Sequence, residues 1–173
     1  MKKPSFYISC PFDTYSGYGA RSRDIVKAII ELDKYDVKLL SQRWGNTPFG
    51  FTEAHDDWKF LNDLRVQGVA QGQKPDIWMQ ITIPSEFSPV GKFNIGCTAG
   101  IESTGCDHKW VEGLNRMDMN WVSSRHSKKV FSEIGFEQRD QQGRVTGHVL
   151  KSTKPMHVVF EGANLDVYKY LPA

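Results

Sequence analysis

Short apolar runs alternate along the chain with stretches whose apolar residues recur every three or four positions. The runs FYISC (6–10), DVKLL (36–40), DIWMQI (76–81), FNIGCT (93–98), MNWVSS (119–124) and MHVVFE (156–161) read as six strands. Between them, Ile25, Ala28, Ile29 and Leu32 share one helix face, and Trp58, Leu61 and Leu64 mark a second helix. Asp107 caps a third, whose Trp110, Val111, Leu114 and Met117 lie on one side. Ser124 caps a fourth, which runs through Ser127, Val130, Phe131 and Ile134 and stops at Gly135. Residues 43–54, with Gly45, Asn46, Pro48 and Gly50, read as a loop. The polar stretch 137–155, containing DQQGR, reads as a loop or an exposed hairpin.

This alternation predicts an α/β fold, a Rossmann-like three-layer sandwich whose mostly parallel sheet carries helices on both faces. Ligands bind such sheets at the carboxyl ends of the strands. Here those ends are the loops at 11–19, 82–88, 99–105 and 123–126, where polar and glycine residues collect.

A length of 173 residues suits one domain with a sizeable core. With 22 basic and 20 acidic residues, the net charge of +2 gives no reason to expect polyanion binding from overall charge. Lys2 and Lys3 are followed by Pro4, Ser5, Ser9, Pro11 and Asp13, which break any apolar leader, and no run has membrane-spanning length. Cys10, Cys97 and Cys106 form no CxxC pair, and an odd thiol fits a reducing compartment. The expectation is a cytoplasmic chain without a membrane span. Cys97, Cys106 and His108 match no closed zinc site, so no metal is expected.

SGYGARSRD (16–24) follows the first strand. A dinucleotide fingerprint needs a third glycine where Ser22 stands, and an acidic residue after the second strand, where LSQR (40–43) has none. A P-loop needs Gly-Lys-Ser/Thr, which is absent. A turn into a helix and a ligand-holding loop both stay open on local sequence.

The segment from Phe6 through SGYGARSRDIVKAI resembles the start of retaining glycosyltransferases of the GT-B fold, family four type. The resemblance continues at NIGCTAGIEST (94–104), WVEGLNRMDMNWVSSRHSKKVF (110–131) and VVFEGANLDVYKYLP (158–172), the last similar to that family's interdomain crossing. It implies that residues 1–162 are the acceptor-side domain and 163–173 the start of the crossing. The second domain, which grips the nucleotide diphosphate, has no counterpart here. The implied function is sugar transfer with retention from a nucleotide-sugar donor to a hydroxyl acceptor, with no tightly bound cofactor and no activity in this domain alone. The acceptor is open: a carbohydrate, a small molecule, a protein or a modified DNA base. The alternative is a non-catalytic binding or scaffolding domain.

Retaining transfer requires stabilisation of a leaving phosphate, a positioned acceptor and exclusion of water. The amides of Gly17, Tyr18 and Gly19 at a helix start suit a phosphate. Tyr18 stacks on a sugar or covers the site, or else packs on the core. Some relatives carry a histidine in the loop that here reads GIESTG; Glu102 takes its place as a catalytic candidate that bonds sugar hydroxyls or orients the acceptor, against the plain alternative of a helix-start carboxylate. Ser103 and Thr104 are second-rank binding candidates. Ser124, Arg125 and His126 top the fifth strand, with Arg125 or His126 reaching phosphate or acceptor and His126 the second catalytic candidate. Glu86 shapes an acceptor pocket. Glu161 and Gly162 lie at the crossing, with Gly162 a hinge. Asp118 closes a turn before the fifth strand.

Overall fold

The structure is a computed structural model that describes residues 2–163, 165 and 168–171. Strand β1 (Ser5–Cys10) leads into helix α1 (Gly17–Glu31), then β2 (Asp36–Ser41), a short helix α2 (Phe51–Ala54) and a 3-10 helix over Asp56–Leu64. Next come β3 (Ile77–Ile81), a 3-10 turn at Pro84–Glu86, β4 (Phe93–Thr98), α3 (His108–Arg116), β5 (Met119–Val122) and α4 (Arg125–Glu133). A hairpin of β6 (Gly135–Arg139) and β7 (Val145–Lys151) precedes β8 (Met156–Val158).

Six strands form one sheet in the order β2-β1-β3-β4-β5-β8, and every neighbouring pair is parallel. A parallel sheet is covered on both faces, which is why its strands read as near-continuous apolar runs. Phe6, Ile8, Cys10, Met79, Ile81, Ile95 and Cys97 pack with Ile25, Val26 and Ile29 of α1 and Leu61 of the 3-10 helix. Trp78, Val122 and Met156 pack with Phe87, Leu114 of α3, Met117 and Phe131 of α4. The sandwich is therefore Rossmann-like and three-layered. The chain leaves β1 toward β2 on one side and returns to β3 on the other. The carboxyl ends of β1 and β3 thus flank the point where such sheets open a crevice.

Several sequence expectations are corrected. Helix α1 starts at Gly17, so both glycines of SGYGARSRD lie in its first turn. Its buried apolar face is Ile25, Val26 and Ile29, while Ala28 and Leu32 are exposed. The stretch 43–54 contains α2, whereas the helix expected at Trp58 is present, as a 3-10 helix. Gly135 opens β6 and does not stop α4, whose end at Ile134 is already extended. The fifth strand ends at Val122, short of the 124 predicted, while Ser124 caps α4 as expected. The sixth sheet strand ends at Val158, short of the 161 predicted. The stretch 137–155 does contain an exposed hairpin. Asp118 accepts from the amide and side chain of Asn94, tying the turn before β5 to the start of β4. Within the expected crossing, Asn164, Asp166, Val167, Pro172 and Ala173 lie outside the described residues. No helix among the described residues is long and apolar enough to cross a membrane.

The second face is closed by backbone contact. A Cβ on Gly113 of α3 would sit 1.7 Å from the carbonyl oxygen of Pro84, an atom that cannot swing away. Gly113→Ala is expected to destabilise the fold by about 1–3 kcal/mol. In a domain of this size that lowers the thermal midpoint by about 2–4 °C per kcal/mol. Gly105→Ala, where a Cβ meets nothing within 4 Å, leaves the midpoint nearly unchanged; equal midpoints in a melting experiment would contradict this packing.

Candidate functional site

The loop between β1 and α1 is built around two buried charges. Asp13 accepts from the amide and hydroxyl of Thr52 at 2.9 and 2.7 Å and pairs with Arg65 at 2.8 Å. Burial alone would push its carboxyl up; the Thr52 donors and the Arg65 guanidinium outweigh that and hold it below the usual carboxylate range. Arg23, also buried, donates to the carbonyls of Phe12 and Thr14 at 2.8 and 3.0 Å and lies 3.4 Å from the Phe51 ring centre. Ser16 then caps α1 by accepting from the Gly19 amide at 2.9 Å. Among the described residues, the amides of Gly17 and Tyr18 have no protein acceptor.

The two glycines do different things. A Cβ on Gly19 would lie 2.4 Å from the carbonyl oxygen of Thr14, so the helix and its own entry loop touch there. A Cβ on Gly17 meets nothing within 4 Å. Between them, Tyr18 reaches across the sheet. Its hydroxyl lies 3.0 Å from Thr98 Oγ1 and accepts from the Ala99 amide at 3.0 Å. Its ring stacks on Trp44 with centres 3.9 Å apart. Tyr18 thus packs as a strut, and burial pushes its ionisation up.

That strut leads to the loop after β4, which is pinned at three points. The Ser123 hydroxyl donates to the Ala99 carbonyl. Ser127 bonds both backbone groups of Ile101 at 3.3 and 3.4 Å. His126 Nε2 donates to the Ser103 carbonyl at 3.2 Å. Gly100, at φ +96°, lies so close to Ser127 that a Cβ would be 2.2 Å from its hydroxyl oxygen. The loop presents Glu102, which is exposed and has no hydrogen bond among the described residues. Glu102 is not a helix-start carboxylate, because α3 begins at His108 under the cap of Asp107. Ser103 donates to the Gly105 carbonyl at 2.8 Å and is committed to the loop. Thr104 is exposed. Ser124 is committed to capping, accepting from the Ser127 amide at 3.0 Å.

Arg125 and His126 open α4 beside the end of β8. The Arg125 guanidinium lies 6.0 Å from the Phe160 ring centre. Next to Phe160, Glu161 lies 3.8 Å from Nε of Arg21, and the Arg21 guanidinium also donates to the Val159 carbonyl. Arg21 is buried, yet its Nε has no hydrogen-bond partner among the described residues. Gly17, Ala20, Arg21 and Asp24 on α1 and residues 159–162 opposite enclose a groove of about 490 Å³.

These contacts close a ring around the carboxyl ends of β4, β5 and β8. It runs from the α1 start through Tyr18 to the Glu102 loop, through His126 to the α4 start, on to Glu161, and back through Arg21. It brings together Gly17, Tyr18, Glu102, Ser103, Ser124, Arg125, His126 and Glu161. Glu86 is outside it, bonded to the Thr82 hydroxyl. Burial pushes all three cysteine thiols up, Cys10 to about 12 and Cys97 to about 11. Among the described residues no cluster of three His, Cys, Asp or Glu could hold a metal. Sequence reasoning passed over Arg21, Arg23, Asp13 and Trp44. For Arg21 a signal existed, since it stands four positions before Ile25 on the core-facing side of α1. No family model, curated protein or solved structure matches the chain.

Two measurements check this construction. Gly19→Ala is expected to lose about 1–3 kcal/mol of stability through its clash with Thr14, whereas Gly17→Ala stays level or gains up to about 1 kcal/mol. A depressed native pKa at Asp13 contributes stability that is complete above the unfolded value of about 3.9 and is lost as pH falls through the native value. The stability gap between the wild type and Asp13→Asn should therefore be constant near neutrality and shrink in acid; a gap that widens in acid contradicts the clamp.

Proposed function

We propose that the chain is the acceptor-side domain of a glycosyltransferase that moves a sugar from a nucleotide-sugar to a hydroxyl acceptor, with retention. The reading rests on the family resemblance together with one observation. Two helix starts, one buried arginine and one unbonded carboxylate converge on a single ring at the carboxyl ends of parallel strands. Helix amides carry partial positive charge and favour a departing phosphate. The amides of Gly17 and Tyr18 and the Arg21 guanidinium supply that charge on one side of the ring. Glu102, exposed on the loop after β4, bonds donor or acceptor hydroxyls in this reading. His126 acts on Glu102 through the Ser103 carbonyl and is a positioning residue. Arg125 adds positive charge at the second helix start. The nucleotide-sugar is a substrate, and the chemistry draws on a second domain to close the cleft.

The alternative, a binding domain without chemistry, draws on the hydroxyls of Tyr18, Ser103 and Ser124 being engaged in holding loops.

Saturation-transfer NMR of the 173-residue chain with UDP-, GDP-, ADP- and TDP-glucose tests the proposal. At least one is expected to bind with Kd of about 1 mM, to weaken several-fold in Arg21→Met, and to be turned over only when the second domain is supplied. No signal from any of the four would overturn it.

A further inference from the structure

Helices α3 and α4 cover one face of the sheet over β3, β5 and β8, but over β1 and β2 that face meets a loop. Tyr7 of β1 and Leu40 of β2 are only partly buried there, and Val69, on the loop leading to β3, packs on the same cluster. A cavity of about 470 Å³ lies between this loop and the strands. Ser5, Tyr7 and Asp36 line it from the sheet, and Val69, Lys74 and Pro75 line it from the loop. Ser5 and Asp36 open β1 and β2, so the cavity is at the amino end of the sheet, away from the candidate site.

Pleat and register account for the sheet side of the lining. Ser5 and Tyr7 are alternate residues of one strand and share a face. Ser5 pairs with Asp36, and Tyr7 with Lys38. The start of β2 therefore turns both of its charged residues to the cavity side.

The charges here divide into those already matched and those left over. Asp76 lines the cavity, and both of its oxygens are occupied. Its Oδ2 accepts from the amide and the hydroxyl of Ser5, each at 2.9 Å, and its Oδ1 accepts from Lys92 at 2.7 Å. Lys92 and Ser5 hold this carboxyl well below the usual carboxylate range. Asp36 pairs with Lys38 at 3.1 Å, and Lys3 pairs with Asp33. Two lining lysines, Lys2 and Lys74, have no ion pair among the described residues. The Tyr7 hydroxyl has no hydrogen bond among them either.

The unmatched charge is thus positive, and the unmatched polar groups are donors. An oxyanion, which only accepts, complements them. Two ammonium groups match the nearly double charge of a phosphate monoester better than the single charge of a carboxylate. The volume is that of a small-molecule site, about 300–1,000 Å³, and Tyr7, Val69 and Pro75 give an apolar wall for the body of the ligand. A long polyanion needs several free cations, whereas Lys3, Lys38 and Lys92 are engaged by carboxylates.

We propose that this cavity binds a phosphate monoester of a small molecule, its dianion held by Lys2, Lys74 and the Tyr7 hydroxyl. The site does not depend on the transferase reading.

The test is an NMR titration of the chain with phenyl phosphate, inorganic phosphate and benzoate, each up to about 10 mM. An ionic strength of about 0.02 M limits screening, and the amides of Ser5, Tyr7 and Lys74 are followed. Phenyl phosphate should give saturable shifts and bind more tightly than either of the others. Lys2→Gln and Lys74→Gln should each weaken it about two- to five-fold, the scale of one exposed charge pair. Tyr7→Phe keeps the ring and should weaken it about two- to ten-fold. Lys128→Gln, on α4 and outside the cavity, should leave it unchanged. Resonances of α4 verify that each variant is folded. The proposal is overturned by the absence of saturable shifts, by an affinity that none of the three cavity variants alters, or by equal weakening in Lys128→Gln. Inorganic phosphate or benzoate binding as tightly as phenyl phosphate overturns the monoester. Shifts at Gly17 and Tyr18 in place of Ser5 and Tyr7 put the anion at the start of α1 and overturn the cavity.

Discussion

The buried Asp13 carboxylate holds together everything at the ligand end of this molecule. It sits just past β1, its side chain only 6% exposed, and it binds Thr52, Arg65 and, through its carbonyl, the Phe51 amide. A carboxylate taken out of water is costly unless its oxygens are occupied. Here both are. The loop after β1 is thereby fixed to α2 and to the residue that ends the 3-10 helix. Arg23 completes the arrangement by satisfying the carbonyls on either side of Asp13. With that loop fixed, Ser16 stands where it can cap α1, and Gly19 can press against Thr14. Loss of the clamp would free α1 at its start, and with it Tyr18 and Arg21.

From this fixed helix the structure reaches outward by two side chains. Tyr18 spans to β4 and Arg21 spans to the end of β8. The strands they reach are far apart in sequence, so the site depends on long-range packing rather than on any local motif. The hairpin of β6 and β7 takes no part in the ring. It lies beyond α4, and among the ring's bonds none involves it.

The fold was largely legible because buried parallel strands write their burial directly as apolar runs. FNIGCT was placed without error, and the other sheet strands differed only at their ends. Strand ends failed where a side chain competed for the backbone, as Ser124 does by capping α4. The helix at Trp58 was legible but its kind was not, because over so short a span an apolar pattern with every third residue on one side does not separate a 3-10 helix from an α-helix. The site was half legible. Loops at strand ends are found by counting, and that places Glu102, His126 and Tyr18 at the carboxyl end of the sheet. Asp13, Arg23 and Arg65 were not, because charged residues read as surface until their partners are known. Trp44 read as loop for the same reason: its partner Tyr18 stands on a different loop.

Hydrogen bonding then sorts the polar groups of the site by what they have left to give. Tyr18, Ser103, Ser123, Ser124 and Ser127 all have their hydroxyls engaged in holding one loop to another. Moving any of them toward a ligand would break a bond that the loop geometry needs. Among the described residues, the groups left without a hydrogen bond include the amides at two helix starts, Arg21 Nε, the Arg125 guanidinium, the Thr104 hydroxyl and the Glu102 carboxylate. The amides and guanidinium groups carry positive charge and the carboxylate negative charge. Glu161 stands 3.8 Å from Arg21 Nε and is itself exposed. On the transferase reading proposed above, an incoming phosphate would have to displace Glu161 from Arg21.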